Sequence, residues 1–291
     1  MKVSVIIATY RRDEPLRRAI ASVKNQTYPD IEIIVVDDNA DPKWNTVVES
    51  MVNSFESITY IKNEKNCGSA KTRNIGIFAA TGDYITFLDD DDEYLPEKIE
   101  KQFTDMLTSN ADFGITDLFL YNENDQLIDK RIRSYIESTE IEKLMKYHIM
   151  YHITGTDTMM FKTSYLRKIG GFNGIDVGDE FYLMKEAILM KGSFVYSNHN
   201  YVKAYVHTGE SGGLSSGQKK IDGENALYAE KQKYYSYLNK NEIRYVKARH
   251  FAVLAFAEYR RKKYGHFLKN AGLAFVASPS NFIRILNERK G

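Results

Sequence analysis

Cysteine is almost absent from the 291 residues, and Cys67 is the only one. A single thiol excludes an intramolecular disulfide and any cysteine-based metal site, and it suits a reducing compartment. No run approaches the roughly 20 apolar residues that a membrane span needs. The apolar stretch VSVIIA near the amino terminus is cut off by Arg11, Arg12 and Asp13, so it lacks the length and flanks of a signal sequence and reads as a strand. An excess of charge of one sign is also missing, because 40 lysines and arginines face 39 acids. That balance hides a split: residues 241–291 hold 11 basic and 3 acidic side chains, whereas the remainder holds 29 and 36. A basic tail suits an anionic partner such as a membrane surface, or is simply a solvated helical face. A nucleic-acid binder needs its cations on the main domain, so no nucleic acid is expected as a partner.

What the chain does have is 43% hydrophobic residues, enough for one large domain with an appendage. Short β-branched runs alternate with helical patterns: VSVIIA (3–8), a helix from Pro15 to Asn25, IEIIVVDD (31–38), a helix from Pro42 to Phe55, ITYIKN (58–63), a helix from Ser69 to Ala80, and YITFLD (84–89). Strands alternating with helices predict an α/β fold, a mostly parallel, Rossmann-like sheet with helices on both faces. Two of these strands end in acids, and ligands of open α/β sheets bind beyond the carboxyl ends of the strands. After Pro96 the pattern predicts a helix to Ser109, then a strand pair from FGITDLFLYN and QLIDKRI, then a strand, a short helix and a glycine turn in TGTDTMMFKTSYLRKIGGFN. Residues 180–192 read as an amphipathic helix, 207–220 as a Gly/Ser-rich loop, and the chain from Asp222 onward as helical. The expected organisation is a main domain at 1–221, with halves at 1–110 and 111–221. A basic helical region at 222–291 follows it.

Four consecutive carboxylates, Asp89 to Asp92, need an explanation. Two unit charges about 4 Å apart at an effective dielectric near 20 repel by roughly 4 kcal/mol, which a hard divalent cation such as Mn²⁺ or Mg²⁺ would reverse. Such sites use few carboxylates and complete their shell with phosphate oxygens and water, so the run points to a phosphorylated ligand. The competing reading is a solvated acidic loop capping a helix that begins at Pro96. Upstream, in NCGSAKTRNIG, Gly68 lets the backbone approach a ligand, and Arg73 offers a charged fork to a pyrophosphate or holds a carboxylate.

VSVIIATYRR, IIVVDDN, NCGSAKTRNIG and ATGDYITFLDDDDEYLPEKI, in that order between residues 3 and 99, resemble the signature of family 2 glycosyltransferases with the GT-A fold, of the type that builds bacterial surface polysaccharides. The likeness thins through the second half and resumes at GGFNGIDVGDEFYLMKEAILMKG and at the loop opened by His207. It implies that Thr9 and Tyr10 contact a nucleoside, that Arg12 meets a phosphate, and that Asp38 hydrogen-bonds the base, most often uracil. Asn66, Gly68 and Arg73 fall within the donor-binding block. The metal-binding DxD maps onto Asp89-Asp90-Asp91, with Asp91 the direct ligand and Asp89 and Asp90 serving the ribose, the sugar or the metal's water shell. His207 joins the metal or the pyrophosphate, and Ser211, Ser215 and Lys219 close over the nucleotide with it. The catalytic base of inverting members sits in an acidic pair that reads Asp179-Glu180 here, with the usual order reversed. Glu180 is therefore the aligned base and Asp179 the alternative.

The resemblance thus implies a metal-dependent, inverting, hexosyltransferase-type enzyme that uses a UDP-sugar donor and a saccharide or lipid-linked saccharide acceptor, with 1–221 as its catalytic domain, 1–110 as the nucleotide-binding half and 111–221 as the acceptor-binding half. A cytoplasmic location, peripheral on the inner face of the membrane through the basic carboxy-terminal region, goes with it, and a homodimer is admitted. Two other readings stay open: a nucleotidyltransferase of the same fold, and a nucleotide-sugar or glycan-binding protein without transfer activity.

Overall fold

The seven residues VSVIIAT form β1 (Val3–Thr9), with Val3, Val5, Ile6 and Ile7 fully buried. Burial on both faces is what a continuous β-branched run supplies in a central parallel strand. The chain is described by a computed structural model covering residues 1–174, 177–206 and 217–288. After β1 come α1 (Glu14–Lys24), β2 (Ile31–Asp37), α2 (Pro42–Val52), β3 (Ile58–Lys62), α3 (Ser69–Ala79), β4 (Tyr84–Asp89), β5 (Glu93–Tyr94), α4 (Lys98–Thr108), β6 (Phe113–Tyr121) and β7 (Leu127–Arg131). The chain continues with α5 (Ile141–Tyr151), a 3-10 turn at Thr156–Thr158, β8 (Met159–Lys162), α6 (Thr163–Lys168), α7 (Asp179–Leu189), β9 (Phe194–Tyr205), α8 (Gly217–Gln232), α9 (Lys240–Arg260), α10 (Tyr264–Ala277) and α11 (Pro279–Glu288).

Among the described residues, nine strands make one sheet in the order β3-β2-β1-β4-β8-β6-β9-β5, with β7 paired to β6. The first four are parallel, as their helical crossovers require. α1 buries Leu16, Ala19, Ile20 and Val23, one apolar stripe at helical spacing. α3 lies closer, because a Cβ on Gly76 would come within 2.5 Å of Ile6 Cγ2. The register sets Thr9 beside Asp37 and Ala8 beside Asp89, so three strand ends meet at one edge. β8 then adds antiparallel to β4, β6 antiparallel to β8, and β9 parallel to β6. β5 pairs with the end of β9, Glu93 opposite Lys203 and Tyr94 opposite Val202, and the Tyr205 hydroxyl lies 3.3 Å from Glu93 Oε1. The helix expected from Pro96 begins at Lys98, with β5 between it and the acids.

The chain divides into two compact units. The first comprises residues 1–141 and 153–206 and contains the whole sheet. The second comprises 142–152 and the described residues after 206, and is helical. Within it α8, α10 and α11 pack on α9, whose start is fixed by a reciprocal capping box between Asn239 and Glu242. The break expected near Gly265 falls between Arg260 and Tyr264, and Pro279 opens α11. No helix of the described residues is long and apolar enough to cross a membrane.

Candidate active site at the strand ends

At the end of β2, two adjacent acids do different work. Asp37 is fully buried and accepts hydrogen bonds from the Asn39 amide and side chain, Asn45 Nδ2 (2.9 Å) and Tyr60 Oη (2.6 Å). Tyr60's hydroxyl is pushed up by burial and by that carboxylate. Asp38 accepts from Asn63 Nδ2 (2.8 Å) and the Cys67 amide (2.7 Å) on one oxygen, and from the Gly68 amide (2.9 Å) on the other. Asn66 Nδ2 donates to the Asp38 carbonyl at 3.0 Å. Gly68 has φ of 83°, a left-handed conformation that lets consecutive amides converge on one carboxylate. Asp38 thereby shapes the 66–68 loop at the foot of α3.

The turn after β4 collects the remaining acids. Asp90 accepts from Thr9 Oγ1 (2.8 Å) and the Tyr10 amide (3.1 Å), and Arg12 reaches both Asp90 (3.4 Å) and Asp91 (2.7 Å). Burial first, then repulsion by Asp91, pushes the Asp90 carboxyl up to about 7 against the pull of Thr9 and Arg12. Asp89 is pushed up by burial, with Arg73 opposing and Asp91 adding to the rise. The aspartates are unequal, since Asp92 turns inward. Its carboxyl accepts from the Tyr205 amide at 2.8 Å and is hydrogen-bonded to Asp157, and burial followed by Asp157 drives it well up. Asp92 is therefore a tie between the turn and β9, where the acidic-loop reading placed it only before a helix.

Arg73 resolves the two roles that the sequence left for it. Its guanidinium donates to Asp89 and to Asp179, both at 2.6 Å, and lies 5.4 Å from the centre of the Phe172 ring. Burial works against its charge, but Asp179 and Asp89 more than compensate and hold it cationic. Asn74 supports the same corner, exchanging hydrogen bonds with the Phe172 backbone at 2.7 and 2.8 Å. Asp179 is buried at the start of α7, behind Gly178 in a left-handed conformation, and accepts from the Glu180 amide at 2.8 Å. Burial pushes the Asp179 carboxyl up, Arg73 pulls it down, and Glu180 adds to the rise. Glu180 is half-buried beside it. One arginine thus links the turn after β4 to the acidic pair of α7.

Two residues of the site carry no role in the sequence reading: Asp157, outside the motifs, and Lys98, within the LPEKI end of the last one. Asp157, in the 3-10 turn before β8, accepts from the Asp89 amide at 2.6 Å, and burial and Asp89 push it up to about 7. Lys98 is fully buried below, its ammonium 2.5 Å from Thr86 Oγ1 and 4.0 Å from the Tyr94 ring centre, and burial pushes it well down. Neither stood out in sequence, because TGTDT and LPEKI carry no pattern that places them beneath the aspartates. Carboxylate oxygens of Asp89, Asp92 and Asp157 lie within 4.8 Å of one another, a second way to assemble a cation site beside Asp91. The donor set fits a hard divalent cation: it is all carboxylate oxygen, and Asp89 and Asp90 are raised despite Arg73 and Arg12. His207, Ser211 and Ser215 lie outside the described residues, and Lys219 is exposed on α8.

The chain is similar to known proteins in sequence and in fold. An uncharacterized glycosyltransferase of Methanocaldococcus jannaschii is 34% identical over 171 residues, 57% of this chain and 58% of the relative. A Campylobacter jejuni protein, GalNAc(5)-diNAcBac-PP-undecaprenol beta-1,3-glucosyltransferase, is 41% identical over 95 residues, 32% of this chain and 31% of its own. The matches therefore span between 31% and 58% of these relatives' length. The fold is like that of S. aureus TarS 1-349 in complex with UDP-GlcNAc, with a TM-score of 0.59 at 17% identity, covering 95% of this chain and 91% of that one. It is also like a mannosyltransferase of Pyrobaculum calidifontis in complex with GDP-Man and Mn²⁺, with a TM-score of 0.60 at 13% identity, covering 97% and 86%. The model of glycosyl transferase family 2 matches residues 4–169, more than half of the sequence and every strand that carries the aspartate turn, and the chain belongs to that family.

Proposed function

We propose that the chain transfers a sugar from a UDP-sugar to a saccharide acceptor, free or lipid-linked, in the synthesis of a surface polysaccharide, with inversion at the anomeric carbon and with Mn²⁺ or Mg²⁺ as cofactor. The observation that carries this reading is the Arg73 bridge, which ties Asp89 of the aspartate run to Asp179 of the acidic pair. A diphosphate needs a cationic anchor and an acceptor hydroxyl needs a base; the turn after β4 carries candidates to hold the first and the start of α7 candidates for the second, tied by Arg73. The family supports it, as do fold neighbours whose titles name UDP-GlcNAc and GDP-Man with Mn²⁺. The Campylobacter relative named for an undecaprenol-linked acceptor supports the lipid-linked case.

In this reading the nucleoside lies over the ends of β1 and β2. The exposed ring of Tyr10 and the 66–68 loop shaped by Asp38 receive it, and Asp38 itself is the base contact. Thr9 donates its hydroxyl to Asp90 and so orders the turn from below. Arg12 is the guanidinium nearest to where the diphosphate rests. Asp91 would hold the metal, with Asp89 and Asp90 beside it. When bound, the cation supplies Lewis-acid stabilisation of the departing diphosphate. Glu180 takes the proton of the acceptor hydroxyl as its oxygen attacks the anomeric carbon. The bond to the diphosphate breaks on the opposite side, and an α-linked donor gives a β product. Asp179 is the poorer candidate for base, because protonating it would break the 2.6 Å ion pair with a buried arginine.

The test is release of UDP from a panel of UDP-sugars in Mn²⁺, with and without saccharide and lipid-linked acceptors. Metal-dependent release that rises with an acceptor is the expected result. Binding of UDP-sugars without release would leave a binding protein, and pyrophosphate release from UTP with a sugar phosphate would leave a nucleotidyltransferase.

A further inference from the structure

α10 presents to solvent the face that a globular helix ordinarily hides. Of its fourteen residues only Ala274 is buried, while Tyr264, Leu268, Leu273, Phe275 and Val276 are exposed, Leu268 at 67% and Val276 at 79%. At 100° per residue, Tyr264, Phe275, Leu268 and Val276 span one side of the helix, opposite the Ala274 edge that packs inward. The surface continues onto α11, where Ile283 is 53% exposed. Exposed apolar residues are ordinary singly but not as a connected helical face.

Charge identifies what covers it. Residues 260–287 carry six lysines and arginines and no acid. Arg261 is engaged by Glu258 at 3.1 Å, and Arg284 lies 4.8 Å from the centre of the Tyr245 ring. Arg260, Lys262, Lys263 and Lys269 are exposed, and among the described residues none is in an ion pair. Lys262 and Lys263 sit at the amino end of the apolar face and Lys269 on its flank. The aromatic rings of Tyr259 and Tyr264 meet at 6.1 Å beside them, both more than half exposed. A second copy of this chain would oppose like charges with no acid on the stretch to relieve them. Apolar side chains flanked by unpaired cations, with amphipathic tyrosines at the boundary, are the composition of a helix lying in the interface of an anionic bilayer.

We propose that the exposed face of α10, continued by α11, is a bilayer-docking surface: Leu268, Phe275 and Val276 enter the acyl boundary while Arg260, Lys262, Lys263 and Lys269 meet anionic headgroups. The proposal deepens the lipid-linked acceptor reading and takes its purpose from it, but it is measured without any donor. The full chain is sedimented with vesicles of phosphatidylglycerol and phosphatidylcholine, and with phosphatidylcholine alone. It is expected to sediment with the anionic vesicles and to be released by raised salt. Lys262→Gln with Lys263→Gln is expected to weaken partition about thirty-fold. Leu268→Glu with Val276→Ser is expected to abolish it, and because these side chains are exposed the circular dichroism spectrum and UDP release in solution should stay as in the parent. Absence of sedimentation, or binding indifferent to the Leu268 and Val276 changes, overturns the proposal. So does a concentration-dependent dimer in light scattering that Leu268→Glu abolishes without any vesicle binding. Vesicle binding in a protein that releases no UDP would sink the transferase reading and leave this surface standing.

Discussion

Arg73 sets apart the two candidate bases of the proposed reaction, Asp179 and Glu180, which differ by one position in the chain. A carboxylate tied to a buried guanidinium is a structural partner, whereas one at the same helix start with solvent access can meet an acceptor hydroxyl. Glu180→Gln is therefore expected to lower turnover by about 10²- to 10⁴-fold with the donor KM nearly unchanged, since general-base catalysis contributes on that scale. Asp179→Asn is expected to act on stability. It removes the buried one of Arg73's two ionic partners and leaves the partly exposed Asp89, and breaking such a buried pair costs about 3 kcal/mol or more, readable as a lowered urea midpoint at unchanged slope. If Asp179→Asn instead kept the parent's stability and lost turnover while Glu180→Gln stayed active, the roles would be exchanged. Arg73→Lys gives an independent check. A lysine cannot fork between Asp89 and Asp179, so turnover should fall even though the charge is kept.

At the scale of elements, the parallel half of the sheet was legible because β1, β2 and β4 are continuous apolar runs that can only be buried strands. β9, the longest strand, was not. Its polar interruption Ser197-Asn198-His199-Asn200 spoils alternation where the register with β6 shifts, so the irregularity that hides it is itself structural. The same limit hid Asp157. It reaches Asp89 only because β8 adds antiparallel to β4, a pairing that no local pattern states. In the helical unit, Lys231 on α8 is buried near Arg249, and burial followed by that charge pushes its ammonium down to about 7. The unfolded chain keeps a proton on Lys231 up to its ordinary value while the folded one has released it, so between about pH 7 and 10 unfolding takes up a proton and stability rises with pH. Denaturant midpoints measured at pH 7 and pH 9.5 should show that rise, and Lys231→Met should reduce it. An unchanged pH dependence in the variant would count against a depressed Lys231.

Across the whole molecule, the cation and donor binding proposed above would be linked to folding, and that linkage separates the two ways of building the proposed metal site. A ligand that binds only the folded state at about 100 times its Kd stabilises by about 2.7 kcal/mol, so Mn²⁺ with UDP should raise the melting temperature of the parent above either alone. Asp91 is held by Arg12 at the outer side of the turn, while Asp92 faces inward, accepting from the Tyr205 amide and hydrogen-bonded to Asp157. An asparagine can copy the inward role, since its carbonyl accepts from the amide and its NH₂ donates to the neighbouring carboxylate. It is a poor substitute for an anionic metal ligand. Asp91→Asn is therefore expected to fold with the parent's melting temperature and to lose the Mn²⁺-dependent increment. Asp92→Asn is expected to keep most of that increment. The reverse pattern would move the cation inward to the Asp89, Asp92 and Asp157 cluster and leave Asp91 as an arginine partner only. The increment is read as a difference within each variant, so an overall change in stability cannot imitate either result.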